Sequence, residues 1–369
     1  MSEEDSHHIN SALNVQPGID QPSHINPDAL KRSNRFRKTR LKATEIYKGI
    51  ISGDRTLLSR GITLIESALQ SDKPDAQELI QLCLPHSGKS IRIGITGVPG
   101  VGKSTFIETF GLNLINEGKR VAVLAIDPSS TRTKGSILGD KTRMETLSIN
   151  ENAFIRPSAS KGTLGGVARA TREALILCEA AGYNIILVET VGVGQSETAV
   201  SQLVDFFLLL MLAGGGDELQ GIKRGIMEMA DLIVINKADG DNIINAKLAA
   251  NGYKNALHLF PALPNGWIPD VITASAINNN GLNHVWDTVS KFVIHTKKND
   301  FFDHNRRLQS LNILTDTIDE NLKSSFYNQQ VINELMESYK KKIFNSKSND
   351  HINPYEIAQL LLDKHFKEI

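Results

Sequence analysis

Short, continuous apolar runs punctuate the middle of the chain: Ile91–Thr96, Val121–Ile126, Ala153–Ile155, Ile185–Glu189, Phe206–Met211, Leu232–Ile235 and Val271–Thr273. They do not alternate apolar with polar residues. Runs of this kind predict strands buried on both faces. Between most of them lie longer stretches with apolar positions at helical spacing, notably Lys103–Asn116, Thr163–Ala181 and Ile243–Leu259. Strands and helices in alternation predict an α/β fold, a mainly parallel sheet covered by helices on both faces. In such a sheet the ligand is expected at the carboxyl ends of the strands.

The flanks follow a different pattern. Thr56–Leu69 and Asp75–Leu84 have helical periodicity, which Pro85-His86-Ser87-Gly88 interrupts before the first strand. Beyond Lys298 the strands stop, and 301–369 reads as two or three helices with a break at His351-Ile352-Asn353-Pro354. The expected organisation is a disordered polar leader over 1–28, with Pro17, Pro22 and Pro27 in it. A helical N-terminal extension over 29–88, the α/β domain over 89–298 and a helical C-terminal arm over 299–369 complete it. Lys31, Arg32, Arg35, Arg37, Lys38, Arg40 and Lys42 form a basic run. A solvated helix face explains it more simply than a contact to a partner or phosphate. No internal repeat at solenoid periods is visible.

Composition narrows the classes of function. With 369 residues the chain exceeds one small core. Its 41 basic and 41 acidic residues balance, so no global charge argues for nucleic acid or an anionic membrane as a partner. The strongest apolar run, Phe206–Ala213, falls short of the roughly 18 residues of a membrane span. The start, with Glu3, Glu4 and Asp5 and no apolar stretch behind them, fits neither a secretory signal nor a transit peptide. Two cysteines, Cys83 and Cys178, stand in apolar helical contexts and are expected to be buried free thiols. A cytoplasmic location follows as the expectation. The cysteines are isolated, and His7-His8 lies in the leader, so metal delivery finds no ligand spacing.

The candidate chemistry sits where strands end. Gly97-Val98-Pro99-Gly100-Val101-Gly102-Lys103-Ser104-Thr105 follows the first strand and opens a helix. It fits G-x-x-x-x-G-K-[ST], a P-loop whose backbone N–H groups and helix N-terminus cradle phosphates. Lys103 would meet the β- and γ-phosphates, Ser104 would ligate Mg²⁺, and Thr105 would support the α-phosphate. Asn236-Lys237-Ala238-Asp239 follows another strand. The Asp239 carboxylate can accept hydrogen bonds from N1–H and N2–H₂ of guanine, donors that adenine lacks. Asn236 would reach N7, the Lys237 stem would cover the ring, and Ser275-Ala276 can offer backbone N–H groups to O6. The two motifs together specify GTP and GDP as ligands of a P-loop NTPase fold.

Glu189-Thr190-Val191-Gly192-Val193-Gly194-Gln195-Ser196-Glu197 lies between them. Glu189, ending its strand, is placed to hold Mg²⁺, and Gly192 to bring an N–H to the γ-phosphate. Asp127 and Asp140 are further candidates for metal or attacking water, although Asp140 also suits a helix N-cap. The candidates for the chemical step are therefore Lys103, Asp127, Asp140, Glu189 and Gln195. Ras-type GTPases carry glutamine where Val193 stands here, and Gln195 is offset from that position. Weak positioning of water predicts unassisted hydrolysis at about 10⁻⁴ to 10⁻² s⁻¹.

Longer strings carry a family resemblance. Ala125-Ile126-Asp127-Pro128-Ser129-Ser130, Gly135 to Met144, Phe154-Ile155-Arg156-Pro157-Ser158 and Gly162-Thr163-Leu164-Gly165-Gly166-Val167 resemble the MeaB/ArgK family of P-loop G proteins. So do Glu189 to Glu197, while Gly216 to Lys223 resembles that family's additional switch loop. The likeness covers roughly 40–300. It implies a GTPase chaperone of an adenosylcobalamin-dependent acyl-CoA mutase, mainly methylmalonyl-CoA mutase, that gates cofactor loading and removal. It also implies a homodimer held by C-terminal helices, Mg²⁺ at Ser104, Asp127, Asp140 and Glu189, and switch positions at Gln195, Asp217 and Lys223. Lys134 and the proline-free Ala213-Gly214-Gly215-Gly216 depart from the family's pattern. The competing expectation is a GTP- or ATP-dependent small-molecule kinase linked to arginine and ornithine transport. A nucleotide-binding scaffold without turnover is the other alternative.

Overall fold

Each apolar run of the central block forms a strand, and every strand pair is parallel. In a computed structural model of the chain, residues 41–67, 69–127, 144–159, 164–190, 196–214, 224–261, 263–345 and 352–367 are described. The expected leader and residues 31–40 of the basic run lie outside them. Residues 43–369 make one compact unit.

The unit opens with α1 (Ala43–Ile51), α2 (Arg55–Ile65) and α3 (Lys73–Cys83). Asp54 caps α2, its carboxylate accepting from the Thr56 and Leu57 N–H groups at 2.7 and 3.0 Å. The central block then runs β1 (Ile91–Gly97), α4 (Lys103–Asn116), β2 (Val121–Asp127), α5 (Glu145–Ile149), β3 (Ala153–Ala159) and α6 (Leu164–Ala180). It continues with β4 (Ile185–Thr190), α7 (Ser196–Ser201), β5 (Phe206–Leu212), α8 (Arg224–Glu228), β6 (Leu232–Asn236), α9 (Ile243–Leu257), β7 (Asp270–Thr273) and α10 (Leu282–Lys298). Three helices follow: α11 (Phe301–Asn328), α12 (Gln330–Phe344) and α13 (Pro354–Lys367).

The strand order is β3-β2-β4-β1-β5-β6-β7. After β1 the chain passes to one side through β2, β3 and β4, then crosses β1 to continue through β5, β6 and β7. The strand order reverses beside β1, the place where open α/β sheets generally receive a ligand at the carboxyl ends of their strands. Under the sheet, Ile93, Ile95, Leu187, Leu208, Leu210 and Val234 pack with Phe106 and Phe110 of α4 and Phe292 of α10. Each such side chain contributes about 1.5–3 kcal/mol on burial.

One strand outruns its apolar run. β3 continues through Arg156, Pro157 and Ser158 to Ala159. It lies at the sheet's edge, where a proline without an N–H costs no ladder bond on the open side. Cys83 and Cys178 are free and buried, and burial pushes the Cys83 thiol up to about 11. No described helix is long and apolar enough to cross a membrane.

A buried ionic cluster ties α11 to the amino ends of β1 and β5. Arg306 donates from Nε and Nη2 to the Asp205 carboxylate, both at 2.6 Å, and from Nη2 to the Ser90 carbonyl at 2.9 Å. Beside it, Glu179 accepts from Arg92 at 2.9 and 3.0 Å, from the Ser90 hydroxyl at 2.5 Å and from the Gly88 N–H at 2.6 Å. Burial alone would raise the Glu179 pKa, but the Arg92 charge and these hydrogen bonds leave it below its ordinary value. Farther along α11, Leu308, Leu311, Leu314, Ile318 and Leu322 form an exposed apolar stripe at helical spacing.

Asp231, just before β6, yields a pH prediction. Burial pushes its carboxyl from 3.8 up to about 7, against a stabilising bond from the Phe207 N–H at 2.9 Å. With its folded value raised, its contribution to stability is full below 3.8 and is lost as pH rises through about 7. Asp231→Asn keeps an acceptor for Phe207 and cannot ionise. Its melting temperature relative to wild type should therefore climb between pH 4 and pH 7, roughly the interval between the two pKa values, and level off above. Thermal melts across that range would show a flat difference if the carboxyl were ionised throughout.

Candidate nucleotide site

The phosphate end is built by close backbone approach. At Gly97, the last residue of β1, a Cβ would run into the carbonyl oxygen of Leu210 on β5, so only glycine lets the chain turn here. Val101 is fully buried and anchors the loop. Gly102, at φ 89°, takes the left-handed conformation that starts α4. Among the described residues no acceptor meets the N–H groups of Lys103, Ser104 and Thr105, the unpaired donors of a helix start. Lys103 arches back over the loop, its Nζ donating to the Gly97 carbonyl at 2.9 Å. Burial lowers its pKa, while the negative charges of Glu189 and Glu197 oppose the shift without cancelling it.

The base end is stitched to the phosphate end through Asn236. Its Nδ2 donates to the Val101 carbonyl at 2.8 Å, leaving a second hydrogen on that nitrogen for a base N7. Its Oδ1 is buried without a partner among the described residues. Lys237 holds φ 57°, costly for a side chain with a Cβ, and the Asn242 amide secures its carbonyl at 2.8 Å. The Lys237 Cε comes within 3.7 Å of the position a Cβ on Gly102 would take, so its stem lies along the P-loop. Asp239 accepts from the Ser275 hydroxyl at 2.5 Å, and that hydroxyl accepts from the Asn278 N–H at 3.2 Å.

One expectation is corrected at this end. The Ser275 N–H is not available to a base oxygen, because it donates to the Asn280 carbonyl at 2.9 Å in an isolated antiparallel bridge. The Ser275 hydroxyl instead donates to the Asp239 carboxylate. The Ala276 N–H has no acceptor among the described residues, and its carbonyl accepts from Thr109 Oγ1 at 3.0 Å.

On the other side of β1, Glu189 is buried in β4, in register with Ile95 of β1 and Ala125 of β2. Thr190 donates to Thr96 at 2.8 Å and joins the ends of the two strands. The groups present suit Mg²⁺, a hard cation that takes oxygen donors and keeps substrate phosphates and waters among its ligands. The Ser104 hydroxyl has no described hydrogen-bond partner, and the Glu189 carboxylate stands close enough to Lys103 to affect its titration. Among the described residues no group of three or more His, Cys, Asp or Glu could hold a metal by itself. Only the backbone of Asp127 is described, at the last position of β2. Asp140, Gly192, Gln195, Asp217 and Lys223 lie outside the described residues. Sequence reasoning missed Glu197. It is 1% exposed in the first turn of α7, and Lys103 feels its charge.

Comparison with known proteins adds a family. A family model described as Methylmalonyl Co-A mutase-associated GTPase MeaB matches residues 58–331, which span both ends of this site. A protein of Escherichia coli (strain K12) named GTPase ArgK is 44% identical over 310 residues, 84% of this chain and 92% of that protein. A Mus musculus protein named Methylmalonic aciduria type A homolog, mitochondrial, is 45% identical over 332 residues, 87% of this chain and 79% of that protein. A solved structure described as a LAO/AO transport system kinase superposes with a TM-score of 0.68 at 35% identity, covering 89% of this chain and 98% of that one.

Proposed function

Because the chain belongs to the MeaB family of P-loop GTPases, we propose that it is a nucleotide-gated chaperone that loads and protects adenosylcobalamin in an acyl-CoA mutase of the methylmalonyl-CoA mutase type. The single observation that carries this reading is the family's association with methylmalonyl-CoA mutase. The pocket supports the gating half, since it offers acceptors to a guanine edge and donors to a phosphate chain.

In this reading Asp239, oriented by Ser275, selects guanine, and Asn236 ties the base loop to the P-loop. Lys103 and the helix-start N–H groups hold the β- and γ-phosphates, spreading the charge that develops on the transferred phosphoryl group. Ser104 and Glu189 would hold Mg²⁺, which supplies further positive charge to those oxygens. Asp127 and Asp140 remain candidates for metal or attacking-water contacts, and Gln195 a candidate for the chemical step. Asp217 and Lys223 are the proposed switch positions that report the nucleotide to the partner. Intrinsic hydrolysis at about 10⁻⁴ to 10⁻² s⁻¹ suits a timer that a partner accelerates. The apolar stripe on α11 is the proposed face of a homodimer, and the cytosol is the proposed compartment.

The likeness to a structure described as a transport system kinase favours a second reading, phosphoryl transfer to a small molecule such as arginine or ornithine. One experiment separates the two. The protein is incubated with γ-labelled GTP, with and without purified methylmalonyl-CoA mutase, and in parallel with arginine and ornithine. The chaperone reading expects free phosphate, released faster with the mutase, and a complex on size-exclusion chromatography that differs between GDP and a GTP analogue. Label on an amino acid would establish the kinase. No complex and no acceleration would end the chaperone reading for this mutase.

A further inference from the structure

Side chains of α4 reach across to the loop that joins β7 to α10. The helix opens with Lys103, Ser104 and Thr105 at the phosphate end. One turn on, Thr109 Oγ1 lies 3.1 Å from the Thr105 carbonyl and 3.0 Å from the Ala276 carbonyl, and it can donate to either. A further turn along, Asn113 and Asn279 form a reciprocal amide pair. Asn113 Nδ2 donates to Asn279 Oδ1 at 2.7 Å, and Asn279 Nδ2 donates back to Asn113 Oδ1 at 3.1 Å. Residues four apart share one side of a helix and stand about 6 Å from each other along it. A single stiff element therefore grips the loop at two points.

The loop's own bonds set its shape and anchor its start. Ser275 and Asn280 exchange both N–H···O bonds, at 2.9 and 3.0 Å, and the Asn278 N–H donates to Ser275 Oγ at 3.2 Å. Just before them, the Ala274 N–H donates to the Ile235 carbonyl at 2.9 Å, and the Ala274 carbonyl accepts from the Ala238 N–H at 3.0 Å. These contacts secure Ser275, the partner of Asp239, to the sheet. Ala276 and Asn279 lie beyond that anchorage, and their side of the loop is fastened to α4. Ala276 is buried, its N–H meets no acceptor among the described residues, and Asn279 holds a left-handed φ of 51°.

We infer that Thr109 and Asn113 are positioning residues for base recognition: they fasten the 275–280 loop to the helix that carries the phosphate cradle, and so place the Ala276 N–H for the 6-oxygen of the purine. This deepens the GTPase reading above and rests on it. Asp239 reads the N1 and 2-amino edge from a loop tied to the sheet, whereas the donor for the 6-oxygen takes its place from α4. Discrimination at the two purine positions is thus separable.

The test is calorimetric titration with GDP, inosine diphosphate and 6-thioguanosine diphosphate, Mg²⁺ present. Inosine lacks the 2-amine and keeps the 6-oxygen; 6-thioguanine keeps the 2-amine and replaces the 6-oxygen by sulfur, a larger and poorer acceptor. Wild type is expected to prefer GDP over the thio analogue. In the double variant Thr109→Val, Asn113→Ala that preference should fall about threefold to tenfold, the scale of one neutral hydrogen bond. The preference for GDP over inosine diphosphate should stay within about twofold of wild type, as for an independent site. Thr109→Ser keeps the hydroxyl and should retain both wild-type ratios. Asn279→Gly accepts the left-handed backbone, removes the amide pair from the loop side and should lower the thio ratio alone. It stands in if the double variant does not fold. An equal loss of all three affinities, which a merely structural role would give, overturns the inference. So do unchanged ratios in a folded variant, a parallel fall in the inosine ratio, or a wild type indifferent to sulfur at position 6. A wild type that binds no guanine nucleotide fails the GTPase reading itself, a result distinct from any of these.

Discussion

Asp239→Asn is expected to weaken GTP by on the order of 10⁴-fold and to transfer the preference to xanthosine triphosphate. The Asp239 carboxylate already accepts from Ser275 Oγ at 2.5 Å, and in the proposed site its remaining lone pairs would accept from N1–H and N2–H₂ of guanine. An amide replaces one acceptor by a donor. Two guanine donors require two acceptor oxygens, so whichever way the amide turns its nitrogen faces one guanine N–H, and that donor is left without an acceptor. Xanthine carries a carbonyl where guanine carries its amine and can receive that donor. Calorimetry with both nucleotides reads the change directly, and undiminished GTP affinity would remove Asp239 from the base site.

Lys103→Ala should reduce affinity for GTP and GDP by on the order of 10²- to 10³-fold, as expected when one partner of a desolvated charge pair is truncated. The helix itself should persist, because alanine is the strongest helix former and the Lys103 N–H stays in place. Circular dichroism should therefore match wild type. A small drop in melting temperature is expected, since Glu189 and Glu197 lose the cation beside them. Normal GTP binding by this variant would mean that the phosphates are held elsewhere.

The parts of the molecule legible in the sequence are those whose signal is local. Ile185–Thr190, Phe206–Leu212 and Leu232–Asn236 sit inside the sheet, so burial on both faces writes them as unbroken apolar runs. The P-loop and Asn236–Asp239 are equally plain, because each packs its chemistry into a few consecutive residues after a strand. β3 was legible only as far as Ile155. Its remainder, with Arg156 and Pro157, follows edge-strand rules and carries no apolar signal. α1 adjoins the basic run, and its contacts at Ala43, Ile46 and Ile50 do not stand out beside those charges.

The site details that escaped are long-range pairings. Glu197, in the first turn of α7, bears on the charge of Lys103 across a long stretch of sequence. The Ser275 N–H is claimed by Asn280 in a single bridge too short to show any periodicity. Neither pairing follows from residue spacing. The Asn236 contact to Val101 likewise joins loops that are remote in sequence, although the identity of each loop was clear.

The Arg306 cluster gives the C-terminal helices a mechanical footing. Arg306 grips Asp205 and Ser90 at the start of the two adjacent strands whose far ends meet at Gly97 and Leu210. β1 and β5 thereby act as stiff struts about 20 Å long, by the usual rise per residue, between the arm and the phosphate cradle. A displacement of α11 would reach the carboxyl ends of β1 and β5 along a hydrogen-bonded ladder rather than through loops.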